Sequence, residues 1–208
     1  MQMQSAGDAG DFAFLWAWEP VTPVQMGQIL ASFNRPWWIA GGWAVDMFLG
    51  RETRRHDDLD VAVLRDDQLA LYQYLRDWEL RYATPDHALN DWDGQRLDPP
   101  IHGIWARRSR EATALWTCEF LLNEHRGESW IFRRNDAISR PLDEVGAESG
   151  GIPYLRPEIV LLYKSSESSP KNDSDFKLTR KQLDQDQVHW LRNALETCNA
   201  MHPWIPRL

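Results

Sequence analysis

Apolar residues recur along this chain with two different periods, one typical of strands and the other of helices. Apolar or alternating runs predict strands over 37–40, 58–63, 80–83, 101–107, 115–122 and 130–133. Apolar positions three and four residues apart predict helices over 23–33, 43–49, 69–78, 157–164 and 183–198. The sequence therefore predicts an α+β fold, with a sheet and flanking helices followed by a helical C-terminal part.

A change of composition near Gly146 to Gly151 suggests where the chain divides. We place the boundary there, between a first domain over 1–148 and a small, all-helical domain over 149–208. Residues 1–10 are small and polar, which predicts a disordered start.

Two glycines, Gly41 and Gly42, stand where the predicted strand at 37–40 meets the helix at 43–49. Glycine lets the backbone approach a ligand closely, and the start of a helix directs N–H groups at an anion. Such a pair is more often only a tight turn, so the glycines alone are a weak signal.

The strand predicted after this helix carries two acids on one face. Alternation turns Leu59, Val61 and Val63 towards the core and leaves Asp58 and Asp60 on the opposite face. Alpha carbons two residues apart on a strand are roughly 6.6 Å apart, so both carboxylates can reach a common pair of divalent ions. Without a cation the two acids would repel each other and raise a pKa, and bound Mg²⁺ removes that cost.

A third acid, Glu119, lies inside the apolar strand predicted over 115–122. A charged residue in such a run is rarely left without a partner. If this strand pairs beside the Asp58/Asp60 strand, about 4.8 Å away, Glu119 completes a three-carboxylate cluster. Glu124 is the alternative, but it lies at the strand's end and on the opposite face.

Polar residues outside the glycine pair and the three acids can be explained by structural roles. We interpret His56, Asp57 and His102 as structural. Segment 84–100 is predicted to be a loop, and an acidic, aromatic loop could hold an amino-sugar or be only a solvated surface. Its acids and its aromatic residue are Asp86, Asp91, Asp93, Asp98 and Trp92.

Charge and cysteine content narrow the class of protein. With 31 acidic and 23 basic side chains the net charge is −8, which argues against a dedicated nucleic-acid binder and is compatible with a cationic small molecule. An ordinary acidic protein has the same excess of acidic over basic side chains, so the charge alone does not indicate a ligand. Cys118 and Cys198 lack metal-like spacing, which favours a reduced, cytoplasmic protein. No membrane segment is predicted, because the chain has no apolar run of about 18 residues.

Together these residues resemble a known family. The string Trp38-Ile39-Ala40-Gly41-Gly42-Trp43-Ala44-Val45-Asp46, with Leu49-Gly50-Arg51, Thr53-Arg54 and His56-Asp57-Asp58-Leu59-Asp60, is similar to the aminoglycoside 2″-adenylyltransferases and the related lincosamide nucleotidyltransferases. More broadly, the glycine pair and the Asp-x-Asp pair resemble the nucleotidyltransferase superfamily that includes DNA polymerase beta. The resemblance implies a nucleotidyltransferase-type mixed β-sheet over 1–148 and a helical C-terminal domain.

The resemblance also implies an activity, the transfer of a nucleoside monophosphate from Mg²⁺-NTP, usually ATP, to a hydroxyl of a small molecule. Asp58 and Asp60 would hold two Mg²⁺ ions, and Gly41 and Gly42 would bind the triphosphate through backbone N–H groups. The third carboxylate of the family maps near Glu119, as metal ligand or as base for the acceptor hydroxyl.

The chain also departs from the sequence pattern of the nucleotidyltransferase superfamily. Many members of the superfamily have Gly-Ser where this chain has Gly42-Trp43, so a serine contact to phosphate is absent. The family's C-terminal helices often supply a lysine to the nucleotide, and Lys164 and Lys171 are candidates that could equally be surface lysines. Arg54 could touch a phosphate, although a solvated arginine is the more frequent outcome.

Three functions follow from this sequence. The first is a small-molecule nucleotidyltransferase, a monomer or homodimer that modifies an acceptor such as an aminoglycoside or lincosamide antibiotic. The second transfers the nucleotide to a protein or RNA, and the acidic balance disfavours RNA. The third is a non-catalytic nucleotide-binding module, which intact Asp58, Asp60 and Glu119 disfavour.

Overall fold

The fold is described from a computed structural model that covers residues 17–86, 88–111 and 114–208. The start predicted to be disordered, residues 1–10, lies outside the described residues. Strands β1 to β10 are Trp37–Ile39, Asp60–Leu64, Glu79–Ala83, Leu89–Asp91, Gly103–Arg107, Cys118–Arg126, Ser129–Ile131, Ser139–Pro141, Gly146–Ser149 and Ile152–Leu155. Helices α1 to α6 are Pro23–Ile29, Gly41–Leu49, Gln68–Tyr74, Pro157–Lys164, Pro170–Thr179 and Gln185–Cys198.

The strands form a mixed sheet, as the sequence predicts. Its main order is β4-β3-β5-β6-β2-β1-β10-β9, and β7 and β8 extend it from β6. β2 lies at the centre, antiparallel to β1 and parallel to β6. Val61, Ala62 and Val63 are fully buried there, as is usual for a central strand that is covered on both faces.

Local capping explains where several helices begin and end. Thr22 and Gln25 form a reciprocal capping box at the start of α1, with Pro23 in the first turn. Gly50 ends α2 in the left-handed conformation, which glycine adopts without steric cost. α2 itself begins two residues earlier than predicted, at Gly41.

Two of the strand limits that differ from the prediction concern the central pair of strands, β2 and β6. The central strand starts at Asp60, so Asp58 lies in the loop before it. β6 runs on to Arg126, past polar residues that end the apolar pattern. These residues have tertiary partners: Glu124 pairs with Arg65, and Asn123 Oδ1 accepts a hydrogen bond from the indole N–H of Trp130. A local pattern cannot reveal such partners.

The expectation of an all-helical segment from residue 149 is wrong. Ile152–Leu155 is a strand that pairs with β9 on one side and runs parallel to β1 on the other. The boundary predicted between residues 148 and 149 therefore falls inside a β-hairpin of the sheet. The helical segment begins at Pro157, where α4 buries Ile159 to Leu162 between α2 and α6.

Candidate active site

Two carboxylates meet at the centre of the sheet. β2 and β6 run parallel in a register that places Asp60 directly beside Glu119, and the N–H of Glu119 donates to the carbonyl of Leu59 at 2.9 Å. Asp58, two residues before Asp60, lines the same cavity of about 630 Å³. Asp58, Asp60 and Glu119, the three acids that the sequence identifies, therefore line one cavity.

Each strand carboxylate lies against a glycine. Gly41 opens α2 with φ +60°, and a β-carbon there would collide with Oδ2 of Asp60. A β-carbon at Gly103, on β5, would collide with Oε1 of Glu119. A glycine is therefore needed at position 41 for two reasons. The backbone there has a positive φ, and the carboxylate of Asp60 leaves no room for a β-carbon. Sequence reasoning missed Gly103, because its role depends on pairing between β5 and β6.

Burial sets the electrostatics of these acids. It is the main cause that raises the pKa of Asp60, and the charge of Asp58 raises it further, while Lys164 and Lys171 act in the opposite direction. The pKa of Glu119 is raised by burial and by the charge of Asp60. Two such carboxylates favour protonation in the absence of a cation, and a divalent cation would stabilise their ionised form.

The two candidate lysines differ in exposure. Lys164, at the end of α4, lines the cavity with a side chain that is 12% exposed, and its Nζ lies 2.9 Å from Oδ2 of Asp175. Lys171 is exposed near the start of α5, and its positive charge acts to lower the pKa of Asp60. The interpretation of Lys164 as an ordinary surface lysine is wrong, since Asp175 holds it in place.

Arg54 is not the solvated arginine that we favoured, and it does not line the cavity. Its side chain is 23% exposed, and its guanidinium lies 3.5 Å from the buried carboxylate of Asp175, with one nitrogen 3.1 Å from Nδ1 of His56. Gly42 lies against these two side chains, because a β-carbon there would collide with both Arg54 and His56. The first glycine therefore faces the cavity, whereas Gly42 faces the ion pair behind it.

His56 is structural, as we interpreted it. Its Nε2 lies 2.5 Å from Oδ2 of Asp46, and its ring stacks on Trp43 with ring centroids 4.3 Å apart. Asp46 also accepts a hydrogen bond from the hydroxyl of Thr53 at 2.5 Å. Trp43 thus packs on the loop that carries Asp58.

None of the described residues of the acidic segment 84–100 lines the cavity. It contains β4, whose Asp91 pairs with Arg81 at 3.0 Å. Trp92 is 4% exposed and packs against Tyr72. The remaining described acids serve local structure: Asp86 accepts from Thr84, Asp93 from the N–H of Gln95, and Asp98 from Arg96. The interpretation of this segment as an amino-sugar site has no support in the geometry.

The acidic cluster is an open site. Among residues 17–86, 88–111 and 114–208, no group of three or more histidine, cysteine or acidic side chains is arranged to hold a metal ion. Mg²⁺ in enzymes is commonly bound through one or two carboxylates, together with water and substrate phosphates. Buried, adjacent carboxylates that open on a cavity fit this donor set.

Several cavity residues were not identified from the sequence. His102, Asn123, Arg133, Tyr163 and Asn172 line the same space. They come from five separate segments, and none belongs to a motif. His102 had been interpreted as structural, so its place on the cavity wall corrects that interpretation in part.

A helix that begins at a glycine, an Asp-x-Asp pair and a third carboxylate on the neighbouring parallel strand form the arrangement that the resemblance to nucleotidyltransferases predicts. The family model for aminoglycoside-2″-adenylyltransferase matches residues 24–87. A 2″-aminoglycoside nucleotidyltransferase of Klebsiella pneumoniae is 60% identical over 37 residues, which is 16% of this chain and 21% of that protein. One from Escherichia coli is 64% identical over 28 residues, 14% of this chain and 16% of that protein. The matched segment thus spans about a fifth or less of these curated relatives.

Solved structures extend the similarity over most of the chain. The solution structure of the antibiotic-resistance factor ANT(2″)-Ia covers 86% of this chain and 92% of its own, with a TM-score of 0.56 and 19% identity. The crystal structure of the lincosamide antibiotic adenylyltransferase LnuA, bound to lincomycin, covers 77% of this chain and 95% of its own, with a TM-score of 0.51 and 15% identity. These similarities confirm the predicted α+β nucleotidyltransferase fold. No helix among the described residues has the length and apolarity needed to cross a membrane.

Proposed function

We propose that this chain is a Mg²⁺-dependent nucleotidyltransferase that moves AMP from ATP to a hydroxyl of a small molecule. The observation that carries the proposal is the direct pairing of Asp60 with Glu119, with Asp58 and Gly41 on the same cavity. The family match over residues 24–87 supports it, since that segment contains Gly41, Asp58 and Asp60.

The residues have separable roles in this proposal. Asp58 and Asp60, with Glu119 as a third ligand or as the base, would hold two Mg²⁺ ions. Bound Mg²⁺ supplies charge neutralisation on the phosphates, which favours attack by a hydroxyl and departure of pyrophosphate. The backbone at Gly41 would bind the triphosphate, because no β-carbon blocks its approach.

Lys164 and Lys171 would complete the part of the cavity that binds the nucleotide. Lys164 is held at 2.9 Å by Asp175 and lines the wall near Asp60, which places a fixed positive charge for a phosphate oxygen. Lys171 would add a second, mobile charge from the start of α5. Arg54 would act indirectly, because it contacts Asp175 and holds the same carboxylate that positions Lys164.

Glu119 would accept the proton of the acceptor hydroxyl or bind a metal ion. The proton of the hydroxyl would pass to the Glu119 carboxylate as the oxygen bonds to the α-phosphorus and pyrophosphate leaves.

The relatives suggest the first acceptors to test. One crystal structure of ANT(2″)-Ia contains adenylyl-2″-tobramycin, and it covers 85% of this chain with a TM-score of 0.50 and 24% identity. LnuA was solved with lincomycin. We therefore propose tobramycin and lincomycin as initial probes of antibiotic modification. We also propose that the enzyme works in the cytoplasm as a monomer or homodimer.

The test is pyrophosphate release from ATP, with and without Mg²⁺, in the presence of candidate acceptors. The proposal expects release that needs both Mg²⁺ and a small hydroxylated acceptor. Release only with a protein or RNA acceptor would replace it by the second function considered from the sequence. Binding of ATP with no turnover for any acceptor would favour a non-catalytic nucleotide-binding module.

A further inference from the structure

One buried acid of α2 anchors the loop that leads to Asp58. Asp46 is 3% exposed, and both of its carboxylate oxygens have partners. Oδ1 accepts a hydrogen bond from the hydroxyl of Thr53, and Oδ2 lies 2.5 Å from Nε2 of His56. The backbone N–H of Arg51 donates to the carbonyl of the same residue at 3.1 Å. The loop is therefore fixed to α2 at three points, of which His56 is one.

His56 connects this anchor to Arg54. A guanidinium only donates hydrogen bonds, so Nδ1 of His56, which lies 3.1 Å from Nη1 of Arg54, is the acceptor in that contact. Nε2 then carries the proton and donates to Asp46. A carboxylate that accepts from one imidazole nitrogen makes the other nitrogen a better acceptor, so the two contacts of His56 strengthen each other. The ring is 1% exposed, which leaves it little freedom to turn.

Arg54 in turn contacts a buried acid of α5 that also pairs with Lys164. Nε and Nη2 of Arg54 lie 3.5 Å from the two oxygens of Asp175, and Nζ of Lys164 lies 2.9 Å from Oδ2. Asp175 is 2% exposed, so its charge depends on these cations. Side chains in contact thus form a polar network that runs from α2 to α4. Its members are Asp46, His56, Arg54, Asp175 and Lys164.

The polar network reaches the cavity at one end. Of its five members only Lys164 lines the cavity. Gly42 makes room for the middle of the network, since a β-carbon there would collide with Arg54 and His56. The two carboxylates of the network offset its two cations, and a polar network whose members all have partners is rigid. Any influence of His56 on a ligand must therefore pass through Lys164.

We propose that His56, oriented by Asp46, is a positioning residue of the nucleotide site. It holds Arg54 beside Asp175 and thereby fixes Lys164, while it touches no ligand itself. The inference rests on the proposed function, which assigns Lys164 to a phosphate of the nucleotide. If His56 acts only through the polar network, its effect on the nucleotide must disappear once Lys164 is removed.

The test is a double-mutant cycle on ATP affinity, measured by isothermal titration with ATP and Mg²⁺. Lys164→Gln should weaken ATP binding by about tenfold, as expected for the loss of one charged hydrogen bond. His56→Phe keeps an aromatic ring against Trp43 and removes both ring nitrogens, so it should weaken binding by about fivefold. In the Lys164→Gln background the same substitution should change the affinity by about twofold or less.

Arg54→Gln is the second variant, and it decides alone if His56→Phe does not fold. The side chain of Arg54 is 23% exposed, and Asp175 keeps Lys164 as a partner when Arg54 is replaced. Arg54→Gln breaks the next contact of the polar network, so it should weaken ATP binding by a similar factor and have no further effect in Lys164→Gln. An Arg54 that contacted a phosphate directly would instead give additive losses.

Two controls separate positioning from a general loss of stability. Thr53→Val removes another hydrogen bond to Asp46 but leaves the contact with Arg54 intact, so it should lower stability and keep ATP affinity. His125→Phe is the matched substitution in a second acid–histidine pair, 3.1 Å from Asp66 and outside the residues that line the cavity. It should also keep ATP affinity. Denaturant unfolding checks that each variant is folded.

Four outcomes would overturn the proposal. They are unchanged ATP affinity in a folded His56→Phe, losses that stay additive with Lys164→Gln, an equal loss in Thr53→Val, and unchanged ATP affinity in Lys164→Gln. In each of these cases pyrophosphate release with an acceptor would still support the proposed function. An unmodified protein that binds no ATP would overturn both. If the cycle gives the expected result but ATP releases no pyrophosphate with any acceptor, the proposed function fails and the positioning role stands.

Discussion

Asp60 and Glu119 are register partners on parallel strands, although 59 positions separate them in the chain. Each side chain lies against a glycine, which lets both carboxylates remain close to the sheet. This pairing is the centre of the proposed chemistry. Its consequences for stability, pH dependence and ATP binding can be measured without knowing the acceptor.

The first prediction concerns activity. Asp60→Asn and Glu119→Gln should each lower Mg²⁺-dependent pyrophosphate release by about 100-fold or more, because each removes a charge from the reacting centre. The matched control is Asp136→Asn, an exposed acid that lies 3.9 Å from Arg126 at the protein surface. Near-normal turnover in either site variant, with the control also active, would contradict the assignment.

The second prediction concerns pH and the stability of the metal-free protein. Burial and mutual repulsion raise the pKa of Asp60 and Glu119 in the folded state. The folded protein therefore binds more protons than the unfolded chain between the ordinary and the raised pKa values, and its stability falls as pH rises through that window. Asp60→Asn removes one of these groups.

Denaturant unfolding without divalent ions measures this effect. We expect Asp60→Asn to raise the free energy of unfolding more at about pH 9 than at about pH 5. An equal change at both pH values, or a loss of stability at the higher pH, would show that Asp60 carries no such penalty.

The third prediction compares two glycines whose backbones both adopt a positive φ. Gly41 and Gly50 have φ of +60° and +67°, but only at Gly41 would a β-carbon collide with Asp60, while Gly50 has open space around it. Gly50→Ala should cost about 1 kcal/mol of stability and keep activity. Gly41→Ala should lose stability and also lose most pyrophosphate release, since Asp60 must move. Equal activity in the two variants would count against the close approach.

The fourth prediction concerns Asp175, which holds Lys164 at 2.9 Å and Arg54 at 3.5 Å while remaining 2% exposed. Asp175→Asn leaves two cations without their partner, so unfolding free energy should fall by about 3 kcal/mol. ATP affinity should fall with it, because Lys164 is no longer held in place.

Another acid of the same helix provides the control. Asp173 pairs with Lys177 and Arg207 at the surface, and Asp173→Asn should change stability much less and leave ATP affinity unchanged. Isothermal titration with ATP and Mg²⁺ and denaturant unfolding give the two readouts. Unchanged ATP affinity in Asp175→Asn would argue that Lys164 does not contact the nucleotide.

The strand predictions that the structure corrected were wrong for the same reason. A short amphipathic or alternating run identifies a strand or helix, but it does not show which distant segment pairs with it. The strand at Ile152–Leu155 was missed, and the end of β6 was placed too early, at Leu122. In both segments the stabilising partners lie elsewhere in the chain, β1 for the first and Arg65 for the second.

The sequence alone determined the local features of this protein: the glycine start of α2, the Asp-x-Asp pair and the apolar strand around Glu119. These follow from backbone conformation and side-chain periodicity, which act over a few residues. Only the tertiary structure decided that Glu119 lies beside Asp60, that Asp175 holds Lys164 and Arg54, and that Arg65 pairs with Glu124. Those relationships depend on pairing and burial of segments far apart in the chain, and the energy that selects them comes from the assembled core.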